Sequence, residues 1–137
     1  MTTKFEIIEN ESGRKMAIEV GIANTLLDIY EQRSLDQITR AYSYSQGFYI
    51  LASHSSNDMK QYLLKLRPFQ GLVKLLEHKN IDVIGDSISA ILNILQIKSR
   101  SQSLKDSQQH FQILNEFGGV EKIFEILKNK LNKCITD

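Results

Sequence analysis

Apolar side chains recur along this chain at intervals of three and four rather than two, the spacing of helices that bury one face. The clearest stretch begins at Pro68. Phe69, Leu72, Val73 and Leu76 fall at i, i+3, i+4 and i+7, which predicts a helix over Phe69–Glu77. After the polar turn His78-Lys79-Asn80, a second stripe of Ile84, Ile88, Ile91 and Leu95 predicts a helix over Asp82–Ile97. Pro68 suits a helix start, because the amide proton it lacks would be unpaired in the first turn anyway. Just upstream, Met59, Tyr62, Leu63 and Leu66 predict a helix that opens near Asp58 and stops at Arg67, before the proline.

The flanks read in the same terms. Lys4–Glu19 predicts one or two short helices ending at Gly13 or Gly21, and within it Phe5-Glu6-Ile7-Ile8 fits a short strand or a helix equally well. Ile22, Leu26 and Ile29 predict a helix over Ile22–Gln32. Ser34-Leu35-Asp36-Gln37 fits a capping box, and the helix it opens is expected to reach about His54, with Ile38, Ala41, Tyr42, Ser45, Tyr49 and Ala52 on one face. Gly47 costs such a helix roughly 1 kcal/mol relative to alanine, so it marks a close approach or a bend. Residues 53–57 are a loop by composition. Residues 98–106, with four charges and three serines, read as a mobile loop, and a solvated linker is favoured there over a phosphorylation site. Phe111, Leu114, Asn115 and Phe117 predict a helix closed by Gly118-Gly119. Val120, Ile123, Phe124 and Leu127 open the last one, whose polar tail beyond Lys128 holds Leu131 and Ile135.

The stripes repeat. Phe69, Leu72, Val73 and Leu76 recur as Val120, Ile123, Phe124 and Leu127 and, with one mismatch, as Ile22, Thr25, Leu26 and Ile29. Each set follows a breaker, at Pro68, Gly118-Gly119 and Gly21. A period of roughly 47 to 51 residues is that of stacked helical units sharing a continuous core. One proline and seven glycines in 137 residues leave long helices as the prevailing element, and the expected class is all-α.

The order short helix, middle helix, long helix resembles the armadillo repeat. In the central unit Met59–Leu66, Phe69–Glu77 and Asp82–Ile97 match its three helices. Residues 87–95, SISAILNIL, are similar to its third-helix signature, with Ala90, Ile91 and Asn93 at matching places and Ser89 where tryptophan is frequent. Residues 113–129, ILNEFGGVEKIFEILKN, resemble its junction of first and second helices. The resemblance covers most of residues 16–131 and extends to the related HEAT type. It implies one domain over 1–137: a right-handed α-solenoid of about three units, near 4–54, 58–97 and 107–133, the last lacking its third helix. In such proteins the third helices line a concave groove whose asparagines hold an extended peptide. Ile50 stands where the first unit would carry its asparagine.

On a helical projection Asp82, Asp86, Ser89 and Asn93 lie about opposite the stripe Ile84, Ile88, Ile91 and Leu95, with Gln96 near the edge. An amide at that place donates to and accepts from a peptide backbone, although a solvated face shows the same pattern. The matching face of the first long helix holds Arg40, Ser43 and Ile50, where Ile50 fits either a contact or packing against the N-terminal segment. The candidate partner-binding residues are therefore Asn93, Ser89, Asp86, Asp82, Gln96, Arg40, Ser43 and Ile50. Two aspartates favour a partner segment carrying Lys or Arg.

The expected function is a non-catalytic scaffold that presents a concave helical surface to a peptide or partner domain. The alternative is a structural building block in a large assembly. The incomplete third unit leaves two expectations open: the chain is a piece of a longer armadillo-like protein, or its open C-terminal end binds another chain, as a homo-oligomer or in a larger assembly. No cofactor or metal is expected: His54, His78 and His110 lie far apart, and Cys134 has no neighbouring histidine. A formal net charge of +1 argues against a nucleic-acid partner, and no apolar run is long enough for a membrane span. With neither a signal peptide nor paired cysteines evident, the expected location is intracellular, in the cytoplasm before the nucleus.

Overall fold

The computed structural model describes residues 11–39, 44–53, 55–96 and 104–136, and side chains within these except at 104–108 and 133–136. Among the described residues every regular element is helical and no strand occurs. In chain order the helices are α1 (Glu11–Glu19), α2 (Ile22–Gln32), a 3₁₀ turn (Leu35–Gln37), α3 (Tyr44–Ala52), α4 (Asn57–Lys65), α5 (Phe69–Leu75), α6 (Ile81–Leu95), α7 (Leu104–Glu116) and α8 (Gly119–Thr136).

Local chemistry sets most of the helix ends. Ser56 opens α4, its hydroxyl accepting the Met59 amide at 3.3 Å. Asn80 opens α6, its side-chain oxygen accepting the Asp82 amide at 2.8 Å. Each cap satisfies an amide that the helix itself leaves unpaired. Three junctions share another device. Gly21 between α1 and α2 (φ 91°), Arg67 between α4 and α5 (φ 57°) and Gly118 between α7 and α8 (φ 71°) all occupy the left-handed region. One residue there reverses the chain within a short link.

Packing follows the same interval. α2 packs on α5 and α5 on α8, α3 makes its most extensive contact with α6, and α5 lies against α6. Three of these contacts, α2 with α5, α5 with α8 and α3 with α6, join elements three apart in order. Leu72 is fully buried, and Ile88 and Ile123 pack against the same cluster. The centre of this core is Tyr30, Phe48, Leu63, Phe69, Leu72, Leu75, Val83, Ile91 and Ile94. Gly47 marks a close approach: a Cβ there would sit 2.9 Å from a Leu26 methyl.

Several expectations change. The helix opened by Ser34 does not run through. The Ser34 amide does donate to Gln37 Oε1 at 3.3 Å, but Ile38 is extended (φ −95°, ψ 108°) and fully buried. His78 Nδ1 accepts the Asn80 amide at 2.9 Å, which leaves Nε2 to donate to the Ile38 carbonyl at 2.8 Å. Leaving the helix lets Ile38 bury its side chain and still satisfy its backbone. Residues 104–106, expected in the mobile loop, belong to α7; the rest of that stretch, the strand-or-helix segment at Phe5–Ile8, and Ala41 and Tyr42 lie outside the described residues.

The stripes also differ in depth. Phe69, Leu72, Val73 and Leu76 are all buried, because α5 lies between α2 and α8. Their counterparts Val120, Phe124 and Leu127 on α8 are exposed, and Ile22 on α2 is exposed while Ala23, Leu27 and Tyr30 take the core.

Candidate partner-binding surfaces

α6 carries most of the candidate residues, and its buried side is not the expected one. Val83, Asp86, Ser87, Ala90, Ile91 and Ile94 face the core, while Ile84, Ile88 and Leu95 are half-buried at its edge. The core-facing direction is turned by about 100° from the apolar stripe. The cause is the number of neighbours. α6 packs against α3, α4, α5 and α7, so small side chains are needed where backbones approach. Ser87 is one, its hydroxyl donating to the Leu72 carbonyl of α5.

Asp86 is consequently a core residue, 7% exposed, and not part of an open face. Ser45 Oγ donates to its Oδ2 at 2.8 Å. Beside it, the Tyr30 hydroxyl donates to the Tyr44 carbonyl. Burial pushes the Tyr30 hydroxyl well above its ordinary 10.0; the Phe48 backbone opposes the shift and the Asp86 carboxylate adds to it.

Ser89 and Asn93 lie one and two turns beyond Asp86 on the same ridge, so they line the seam towards α3 and are half-buried. Asp82 and Gln96 are exposed at the two ends of that ridge. Gln96 also closes the helix, its carbonyl accepting Lys60 Nζ at 3.3 Å. The residues that look outward from α6 include Ile81 and Leu92 (47% exposed), two apolar side chains beside the polar ridge. Ile50 is buried, at 6% exposed, and stands outside the main core cluster; its apolar character fitted packing as well as contact. Arg40 and Ser43 lie outside the described residues.

Two recesses have no counterpart in the sequence pattern, since each is walled by distant segments. A cleft of about 460 Å³ separates the α4–α5 junction from the end of α7, with Leu64, Arg67, Pro68, Ile113, Glu116 and Phe117 among its walls. A smaller one of about 280 Å³ lies between Leu35 and Asp36 on one side and Glu77, His78 and Lys79 on the other. The third open feature is α8, where Val120, Phe124, Leu127 and Leu131 are all exposed. Among the described residues no group of His, Cys, Asp and Glu is placed to hold a metal ion, and no helix is long and apolar enough to cross a membrane.

No family model matches the chain, and neither the curated proteins nor the solved structures searched contain a match to it.

Proposed function

We propose that the chain is a non-catalytic protein-interaction scaffold, built as an α-solenoid of armadillo-like units. The observation that carries this reading is the interval of three: α2, α5 and α8 stack in turn, α3 stacks on α6, and a left-handed residue recurs at Gly21, Arg67 and Gly118. Units related by translation present equivalent helices side by side, and such rows make extended surfaces suited to extended guests. The guest-facing surface is the ridge of α6 with Ser89 and Asn93 in the seam towards α3, Asp82 and Gln96 at its ends, and Leu92 beside it. An amide and a hydroxyl there hold a peptide backbone, and Leu92 receives an apolar side chain.

The test is selection of a random library of short unstructured peptides against the folded 137-residue chain. Enriched peptides should bind Asn93→Ala and Leu92→Ala roughly tenfold more weakly, with the melting temperature unchanged. Asp86→Ala should instead lower the melting temperature, since it strips a buried hydroxyl of its acceptor. Failure to enrich any peptide, or enrichment indifferent to both α6 substitutions, overturns the proposal in favour of a building block without a peptide site.

A further inference from the structure

We infer that α8 is a docking face for a second copy of this chain, laid antiparallel along it. Val120, Phe124, Leu127 and Leu131 follow one another at steps of four, three and four, and Phe124 and Leu131 are 68% and 62% exposed. They form one apolar stripe about 16 Å long at 1.5 Å per residue. This stripe is not what holds α8 to the molecule: Ile123 and Ile126, half-buried on an adjacent face, pack against the core, and Gly119 lies against Leu114 and Val73. A continuous exposed apolar stripe on a helix already anchored by another face marks an interaction surface.

Charge identifies the occupant. Glu121 and Lys128 are both exposed and border the same edge of the stripe, one heptad apart. Exposed Glu125 lies further round on that same side in the first half of α8, whereas exposed Lys130 lies across the stripe and Lys122 is engaged with Glu77. The free edge is therefore acidic at one end and basic at the other. A two-fold axis between Phe124 and Leu127 sets Phe124 of one copy on Leu127 of the other, and Val120 on Leu131. The same axis brings Glu121 of each copy to Lys128 of its mate, so both charge pairs close at once. Parallel pairing instead sets the charged edge of each copy against the opposite edge of its mate, so neither Glu121–Lys128 pair closes. A helix dipole alone also favours acid first and base last, but it does not require both to flank an exposed apolar stripe. This surface is separate from the α6 ridge, so it stands or falls independently of the peptide-binding proposal.

Sedimentation equilibrium of the 137-residue chain from micromolar to near-millimolar concentration tests it. The expected result is a reversible dimer. Phe124→Glu should weaken it by about a hundredfold or more, because it places a charge at the centre of the apolar contact. Glu121→Lys and Lys128→Glu alone should each weaken it by roughly tenfold, and the double variant should return to within a few-fold of the original. All the substituted positions are exposed, and unchanged circular dichroism verifies folding. A chain that stays monomeric over that range overturns the inference, even if it then associates with lipid vesicles or another protein through the stripe. So does a Phe124→Glu variant that dimerises as before, or a double variant no tighter than the singles.

Discussion

Asp86 and Tyr30 form the polar centre where α2, α3 and α6 meet. Asp86 accepts from Ser45, and Tyr30 donates to the Tyr44 carbonyl. Tyr30→Phe deletes that donor and should cost about 1 kcal/mol at neutral pH. Because the native hydroxyl keeps its proton well above 10.0 and the unfolded one does not, its share of stability is complete below pH 10. That share is lost as pH rises towards the native value, at about 1.4 kcal/mol per pH unit for one proton. Chemical denaturation at pH 7 and again above pH 10 should therefore show the gap between the two proteins closing; a gap that stays constant contradicts an origin in the buried hydroxyl. Arg67 is the residue-scale exception at the junctions, since a left-handed non-glycine residue costs about 1–2 kcal/mol. Its side chain lines the cleft beside Pro68, and nothing else in the structure explains why glycine is not used there.

Elements are joined through glycine approaches and lysine caps. Lys74 of α5 donates to the carbonyls of Glu31 and Arg33 at the end of α2, and Lys60 of α4 does the same for Gln96 at the end of α6. In both places a cation meets the negative end of a helix, which stabilises the stack as well as the cap. Gly47 and Gly71 both bring a helix against α2, but they should respond differently to alanine. A Cβ at 47 meets only the far end of the Leu26 side chain, which can rotate away, and alanine is the better helix former by about 1 kcal/mol. A Cβ at 71 meets Tyr30 Cβ at 3.0 Å and the Leu27 carbonyl at 3.6 Å, atoms tied to the backbone. Gly47→Ala should leave the melting temperature within error, whereas Gly71→Ala should cost about 1–2 kcal/mol as α5 is forced off α2. Equal losses at the two sites would place the close approach elsewhere.

The whole molecule is unevenly held. α2, α3, α5 and α6 surround the largest fully buried side chains, whereas α7 and α8 attach through Leu114 and half-buried Ile113, Ile123 and Ile126. Native-state hydrogen exchange at low protein concentration should find α7 and α8 opening at lower free energy than α3, α5 and α6. Uniform protection across all of them would show that the outer pair contributes more than its burial suggests. If α8 dimerises as inferred, that protection should rise with concentration, because association stabilises only the folded form.

Much of this architecture is local and so was legible in the sequence. Helix type follows from spacing by three and four, and the junctions follow from Gly21, Pro68 and Gly118, whereas Ser56 and Asn80, which read only as loop and turn, proved to be caps. What only the tertiary structure decided is which way each helix faces. A side chain's burial depends on how many neighbours its helix acquires: α6, packed on four elements, draws Asp86 and Ser87 inward and leaves Leu92 outside, whereas α8, packed on fewer, leaves Phe124 and Leu131 uncovered. The same apolar stripe is core in α5 and surface in α8, because periodicity records only a helix's own geometry and not what lies against it.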